Sequence, residues 1–306
     1  MTEPRQLPVA LLGSPVAHSK SPLLHRAFYA ELGEVERVYT AIDLPVEDFE
    51  NFWHNERRAA WAGFSVTMPL KSVAAAAVSS LHGAARVLGV VNTIVFDGQI
   101  SHGYNTDVTG LTRILRNLPS VGVEASRAVV LGSGASAASA LLSLRDVGVE
   151  HVTIIARNMK SASLLAHDFN RLHIDVQPLP EQGADSQMID TFHAASLVVS
   201  TLPQPVSAAI AESLEANQRF HNFTSRQAVI ELGYGAASSS HSLSALAAGS
   251  GARAVDGLEF LIQQGVDQVL LHLGLTEPDS LADVDPGINE LIDRLLAAGR
   301  KALQTD

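Results

Sequence analysis

Cysteine is absent from this sequence. Disulfides, thiol nucleophiles and thiolate metal sites are therefore excluded, and no metal ion is expected. Basic residues are scarce: 21 Lys and Arg stand against 32 Asp and Glu, a formal net charge of −11. Nucleic acids and anionic membrane surfaces attract basic proteins, so neither is expected as a partner. A small anionic substrate remains compatible, because one local cation overrides a global field. Long apolar runs are also missing. Each is broken by Gly, Ser or a charge well short of the ~18 residues that suggest a spanning helix. The first residues, Met1-Thr2-Glu3-Pro4-Arg5-Gln6, hold no apolar signal region. The expectation is a soluble, cytoplasmic protein acting on a small molecule; the sequence does not give its oligomeric state, monomer or homodimer.

What is present is the material for an ordinary core, with 46% hydrophobic residues. The 306 residues suggest roughly two domains. In the first third, residues 7–12 read as a buried strand. Ser21-Pro22 then opens a helix to residue 32, with Ser21 as N-cap and Gly33 as the stop. Strands follow at 37–44 and 63–67, an amphipathic helix at 46–58, and a hairpin at 90–104 that turns at Asp97-Gly98. After a helix at 108–118 the pattern changes. Apolar strands at 128–131, 151–156, 197–200 and 228–231 alternate with helices at 135–147 and 161–172. Such alternation implies a parallel, doubly wound sheet with helices on both faces. A serine-rich loop at 236–242 and helices at 258–273 and 287–303 complete the chain.

The strand at 128–131 runs into Gly132-Ser133-Gly134-Ala135-Ser136-Ala137 and then a helix. Gly132 permits a tight turn, Gly134 lets backbone approach a pyrophosphate, and Ala137 lets the helix pack close to the strand. The strand and helix around this G-x-G-x-x-A are the context a dinucleotide site requires. A small-residue turn with no ligand is the plainer alternative. The next strand ends in Ala156-Arg157-Asn158, with Lys160 just beyond. A ribose-binding carboxylate is missing there. Two cations suit the 2′-phosphate of NADP, or are simply solvated surface charges.

Ser14-Pro15-Val16-Ala17-His18-Ser19-Lys20-Ser21-Pro22 puts two hydroxyls, Ser19 and Ser21, at a helix entrance. That suits a carboxylate, although Ser21 reads equally well as a plain N-cap. Thr67, Asn92 and Thr93 stand at strand ends and can bind a polyol or simply form turns. Ser65-Val66-Thr67-Met68-Pro69-Leu70-Lys71 and Gly103-Tyr104-Asn105-Thr106-Asp107 end in an amine and a carboxylate. Side by side, these two could pass a proton, and proton transfer beside a dinucleotide suggests a dehydrogenase.

These runs, with Gly89-Val90-Val91-Asn92-Thr93 and Asp256-Gly257-Leu258, resemble the shikimate dehydrogenase family. The likeness is collinear over nearly the whole chain. It implies reversible NADPH-dependent reduction of 3-dehydroshikimate to shikimate, in aromatic amino acid (chorismate) biosynthesis. It also implies an α/β fold in two domains. Residues 1–107 with 257–306 would form the substrate domain, and 108–256 an inserted Rossmann-type NADP-binding domain.

By position, the resemblance makes Lys71 and Asp107 the acid–base pair. Ser19 and Ser21, with Tyr234 nearby, would hold the substrate carboxylate. Thr67, Asn92, Asp107 and Gln264 would hold the ring hydroxyls and carbonyl. The loop from Gly132 to Ala137, together with Arg157, Asn158, Lys160 and Thr201, would hold the cofactor.

This chain departs from the family pattern at several positions. Ser65 stands where many relatives have Asn. Ala135 and Ala138 replace a Gly and a basic residue of the phosphate loop. The Asn-Arg-Thr clamp becomes Ala156-Arg157-Asn158, and Ser200-Thr201-Leu202-Pro203 replaces Asn-Ala-Thr. Ser-Val-Thr-Met-Pro and Ala-Arg-Asn resemble the actinobacterial members.

Two further readings remain. One is an NAD-dependent quinate/shikimate dehydrogenase, from which Ser21 and Arg157 point away. The other is a non-catalytic ligand sensor, from which the retained Lys71 and Asp107 point away.

Overall fold

The structure is a computed structural model that describes residues 7–56, 60–118, 127–181, 183–235, 241–276 and 286–304. The expected helix end at Arg58 and residues 236–240 of the serine-rich stretch lie outside the described residues. The chain forms two compact units, Met1–Gly110 with Ile262–Asp306, and Leu111–Leu261.

The first unit opens with β1 (Val9–Gly13), α1 (Ser21–Glu31), β2 (Tyr39–Asp43) and α2 (Val46–Asn55). It continues through β3 (Gly63–Val66), α3 (Lys71–Ala77), β4 (Ser80–Leu81), α4 (Gly83–Leu88), β5 (Thr93–Asp97), β6 (Ile100–Tyr104) and the first turn of α5 (Thr106–Arg116). The strands form one mixed sheet in the order β2-β1-β3-β5-β6-β4. β1 runs parallel to both β2 and β3, and the β5–β6 hairpin is antiparallel, with Thr93 opposite Tyr104.

The apolar faces of these strands and of α2 meet in a core of Leu12, Phe49, Trp53, Phe64, Leu70 and Ile94. Phe64 and Phe96 pack edge to face at 5.3 Å. Burying each such side chain stabilises the unit by about 1.5–3 kcal/mol.

The second unit carries β7 (Arg127–Leu131), α6 (Ala135–Asp146), β8 (His151–Ala156), α7 (Met159–Asp168) and β9 (His173–Pro178). It goes on with α8 (Ser186–Ala194), β10 (Leu197–Ser200), α9 (Gln204–Ala216), β11 (Ala228–Glu231), α10 (Leu243–Gly249) and β12 (Arg253–Val255). All its pairings are parallel, in the order β12-β11-β10-β7-β8-β9. Counted from the first strand of this unit, that is the 3-2-1-4-5-6 order of a doubly wound nucleotide-binding sheet. β10 and β11 are buried at every position, as strands covered on both faces must be. Buried Ala137, Ala138 and Ala140 let α6 lie close to the sheet.

The chain returns to the first unit through α11 (Gly257–His272) and ends with α12 (Pro286–Gln304). α12 packs on α1, where Arg294 donates to Glu31 at 2.6 Å.

Two histidines are sealed in this unit. His25 of α1 is fully buried and stacks on Tyr39 at 4.0 Å, and His272 ends α11 at 5% exposure. Burial, reinforced by the neighbouring His272, lowers the His25 pKa from 6.5 to about 3. Burial likewise lowers His272 from 6.5 to about 4. Both bind a proton more weakly folded than unfolded. Their contribution is therefore complete above about pH 6.5 and is lost as pH falls towards 4 and then 3. By pH 5 the expected loss is about 2 kcal/mol per histidine. Urea midpoints at pH 7.5 and pH 5 measure it, and identical midpoints would refute the assignment.

Candidate active site

Lys71 and Asp107 were expected at the ends of strands, and the structure corrects both placements. Lys71 is the first residue of α3, reached after β3 through Thr67–Leu70. Asp107 is the second residue of α5, which follows β6 after the single linking residue Asn105. Both short links lead into the first turn of a helix, whose backbone sets the direction of each side chain. Lys71 Nζ donates to Asp107 Oδ2 at 2.5 Å. The two side chains are 14% and 5% exposed.

The pair sits on a buried polar network. Asn92 Nδ2 donates to Asp107 Oδ1 at 2.8 Å and to Thr106 Oγ1 at 2.9 Å, and lies 3.3 Å from Gln264 Oε1. Asn92 Oδ1 accepts from Thr106 N and from Thr93 Oγ1, each at 2.8 Å. Asn105 Oδ1 accepts from Asp107 N at 3.1 Å, capping the start of α5. Lys71 is tied down from its other end, because its carbonyl accepts from Val91 N at 3.0 Å.

Gly110 makes the meeting of α5 and α11 possible. A Cβ there would lie 2.8 Å from Gln264 N and 2.9 Å from Gln264 Cα. Neither backbone atom can move aside cheaply, so the closest approach of the two helices depends on the missing side chain.

Lys71, Asp107, Asn92 and Gln264 are thus brought together. Ser65, the departure from the family Asn, is 1% exposed and turned inward, where its Oγ donates to Gln268 Oε1 at 3.1 Å.

Ser19 and Ser21 form a separate group at the start of α1. Ser21 is not the N-cap. It is the first helical residue, and Lys20 occupies the cap position, where its side chain does not cap the helix. The reason is local: Ser19 Oγ accepts from Ser21 N at 3.2 Å and takes over the capping role from outside the helix. Asp43, not singled out from sequence, braces this loop by accepting from Ser14 Oγ at 2.6 Å and from Val16 N at 3.2 Å. Thr67 joins the same region through Thr67 N donating to Leu12 O at 2.9 Å. Ser14 N in turn donates to Met68 O at 3.1 Å. Tyr234 belongs to the second unit, half-buried in the segment after β11.

The phosphate loop has the form a dinucleotide requires. Gly132 adopts φ 110°, a region that favours glycine, and a Cβ there would lie 2.4 Å from Thr201 Oγ1. Thr201 Oγ1 itself donates to Leu131 O at 2.7 Å, so it fastens the turn. Gly134 caps α6, and nothing lies within 4 Å of where its Cβ would be. The first amides of α6, from Ala135, Ser136 and Ala137, follow it, which leaves a helix N-terminus open to an anion.

Asn158, expected in the cofactor clamp, caps α7: its Oδ1 accepts from Ser161 N at 3.0 Å. That cap starts α7 at Met159, two residues before the expected residue 161. Ser161 Oγ donates to Ser133 O at 2.7 Å and so binds α7 to the loop. Arg157 and Lys160 are exposed and form no ion pair among the described residues.

A cavity of about 480 Å³ opens elsewhere on the same sheet, with both polar residues such as Arg127, Asp175 and Asp190 and apolar ones such as Val129 and Ala194 in its lining. None of the expected site residues lines it, and the site's chemistry does not belong there.

Residues 11–94 match a family model described as the shikimate dehydrogenase substrate binding domain. A shikimate dehydrogenase (NADP(+)) of Halobacterium salinarum is 33% identical over 270 residues, covering 88% of this chain and 94% of that one. One from Methanothermobacter thermautotrophicus is 34% identical over 158 residues, so the match spans 55% of its length. Among solved structures, Mycobacterium tuberculosis shikimate dehydrogenase superposes with a TM-score of 0.74 at 29% identity, over 95% of this chain and 99% of that one. The Thermus thermophilus enzyme, solved in complex with NADP(H) and shikimate, gives 0.73 at 27% identity, over 97% and 99%. A lysine and an aspartate paired at the starts of two helices that follow strands of a mixed sheet, a glycine loop on a 3-2-1-4-5-6 sheet, and sequence identity across most of the chain converge on one conclusion: the chain belongs to the shikimate dehydrogenase family.

Proposed function

We propose that the chain is an NADP-dependent shikimate dehydrogenase, which interconverts shikimate and 3-dehydroshikimate in aromatic amino acid biosynthesis. The observation that carries the reading is the Lys71–Asp107 contact of 2.5 Å, on a buried network that includes Asn92 and Gln264. Bound NADP would accept a hydride from the C3 carbon of shikimate, and NADPH would return it. The chain's own residues handle the proton. In oxidation, the C3 hydroxyl loses its proton to the Lys71–Asp107 pair as the hydride leaves. In reduction, the pair delivers a proton to the carbonyl oxygen. Such transfer contributes about 10²–10⁴-fold to a rate.

Ser19 and Ser21, at the entrance of α1, bind the substrate carboxylate, with Tyr234 as a further contact. Thr67 and Gln264 hold ring hydroxyls. The residues present fit the cofactor: no atom lies within 4 Å of where a Gly134 Cβ would be, which leaves the backbone open to a pyrophosphate, and exposed Arg157 and Lys160 suit a 2′-phosphate. Asn158 acts indirectly, because its side-chain oxygen is engaged as the cap of α7. No helix among the described residues is long and apolar enough to cross a membrane. The setting inferred for the enzyme is the cytoplasm, as a monomer or homodimer.

Initial rates with shikimate and quinate, each with NADP and NAD, test the assignment. Shikimate with NADP is expected to give the highest kcat/KM of the four. A preference for quinate with NAD would replace it with the quinate/shikimate reading, and no turnover in any combination would favour a ligand sensor.

A further inference from the structure

Gln268 lies one turn beyond Gln264 on α11 and is 4% exposed. Both ends of its carboxamide are engaged. Oε1 accepts from Ser65 Oγ at 3.1 Å, and Nε2 donates to Asn92 O at 2.9 Å. The same carbonyl accepts from Val66 N at 2.7 Å. The main chain at Asn92 is therefore gripped by two donors, one from β3 and one from α11.

The Asn92 side chain has no more freedom. Its two amide hydrogens face Asp107 Oδ1 at 2.8 Å and Thr106 Oγ1 at 2.9 Å, and its oxygen already accepts from Thr106 N and Thr93 Oγ1. A residue clamped at its carbonyl and saturated at its amide cannot turn without breaking several buried bonds. Leaving any one of these buried groups unpaired is costly.

We propose that Gln268 is a positioning residue for proton transfer. Through the carbonyl and then the amide of Asn92, it fixes Asp107 Oδ1 and so leaves Oδ2 aimed at Lys71. The proposal rests on the functional reading given above. Ser65 is part of the device. Its short side chain reaches Gln268 from the middle of β3 and orients the carboxamide so that Nε2 faces Asn92. A glutamine that merely satisfies a polar core would hold the fold together and leave the chemistry alone. Kinetics separate the two roles.

Gln268→Leu removes both bonds at similar volume, and Ser65→Ala removes only the orienting one. In Gln268→Leu, kcat for shikimate oxidation is expected to fall about tenfold. That lies within the roughly 100-fold cost of misplacing a catalytic group by about 1 Å. The KM values for shikimate and NADP should be unchanged, with assays run well below the thermal midpoint of the variant. Ser65→Ala should show a smaller loss of the same kind. In a Lys71→Ala background, Gln268→Leu should cause no further loss, because a positioning residue has nothing left to position. A parental kcat in Gln268→Leu, or an equal loss in the Lys71→Ala background, overturns the proposal. Absence of shikimate turnover in the unaltered chain would instead overturn the functional reading on which it rests.

Discussion

Lys71→Ala is expected to lower kcat for shikimate oxidation by a factor of about 10²–10⁴, with little change in the substrate KM. The lysine is held on three sides. Its carbonyl is fastened to Val91 N, its ammonium to Asp107, and its side chain is only 14% exposed. A freely moving surface lysine would have none of these restraints. Alanine removes the proton donor and leaves Asp107 with Asn92 Nδ2 as its remaining side-chain partner. Breaking a buried pair from one side also destabilises, so the thermal midpoint should be measured alongside the rate. The N-terminal turn of α5 softens that cost by supplying a positive dipole end to the carboxylate. Binding should survive, because the carboxylate and ring contacts assigned to Ser19, Ser21, Thr67 and Gln264 remain. A variant that turns over within about fivefold of the parent lies well below the range for general acid–base catalysis and would sink the assignment.

The second large effect concerns cofactor choice. Replacing both Arg157 and Lys160 by alanine should lower kcat/KM for NADP by about 100-fold. The corresponding value for NAD should hardly move. Hydrogen bonds to charged groups are worth about 1.5–3 kcal/mol each, and every 1.4 kcal/mol is about tenfold. Both residues are exposed, so solvent screening holds each to the low end of that range. Two such contacts give about 100-fold. Rising ionic strength should narrow the NADP preference of the parent in the same direction. Equal losses for NADP and NAD would place the two cations away from the 2′-phosphate.

The sheet of the second unit was legible because its strands are covered on both faces. A strand of that kind leaves a continuous apolar run. The expected spans 151–156, 197–200 and 228–231 coincide with His151–Ala156, Leu197–Ser200 and Ala228–Glu231. Edge strands leave no such run. β9 alternates polar and apolar in His-Ile-Asp-Val-Gln-Pro, and β4 is two residues long, so neither stands out from a loop. α3 was hidden behind the strand that feeds it, since Lys71 looks like the end of the run that begins at Gly63.

In the site, the residue types were legible and the wiring was not. Lys71, Asp107, Asn92 and Gln264 stand in recognisable motifs. Thr106, Gln268 and Asp43 are reached through contacts between residues 14 to 176 positions apart. No periodicity records a contact of that length. Caps were equally hard to read: one was possible at Ser21 and lies instead with Ser19, and Asn158 caps α7, each choice resting on a neighbouring hydroxyl or amide.

The engaged amide of Asn92 also bears on how this protein ages. Deamidation would turn a donor into an acceptor at the position that faces Asp107 Oδ1. Two carboxylates would then confront each other across 2.8 Å, both almost fully buried. The same clamp opposes that damage, because forming the cyclic intermediate requires the Asn92 main chain to swing towards its own side chain. Storage lifetime and proton transfer therefore depend on one set of hydrogen bonds, and a variant that loosens the site should also shorten its shelf life.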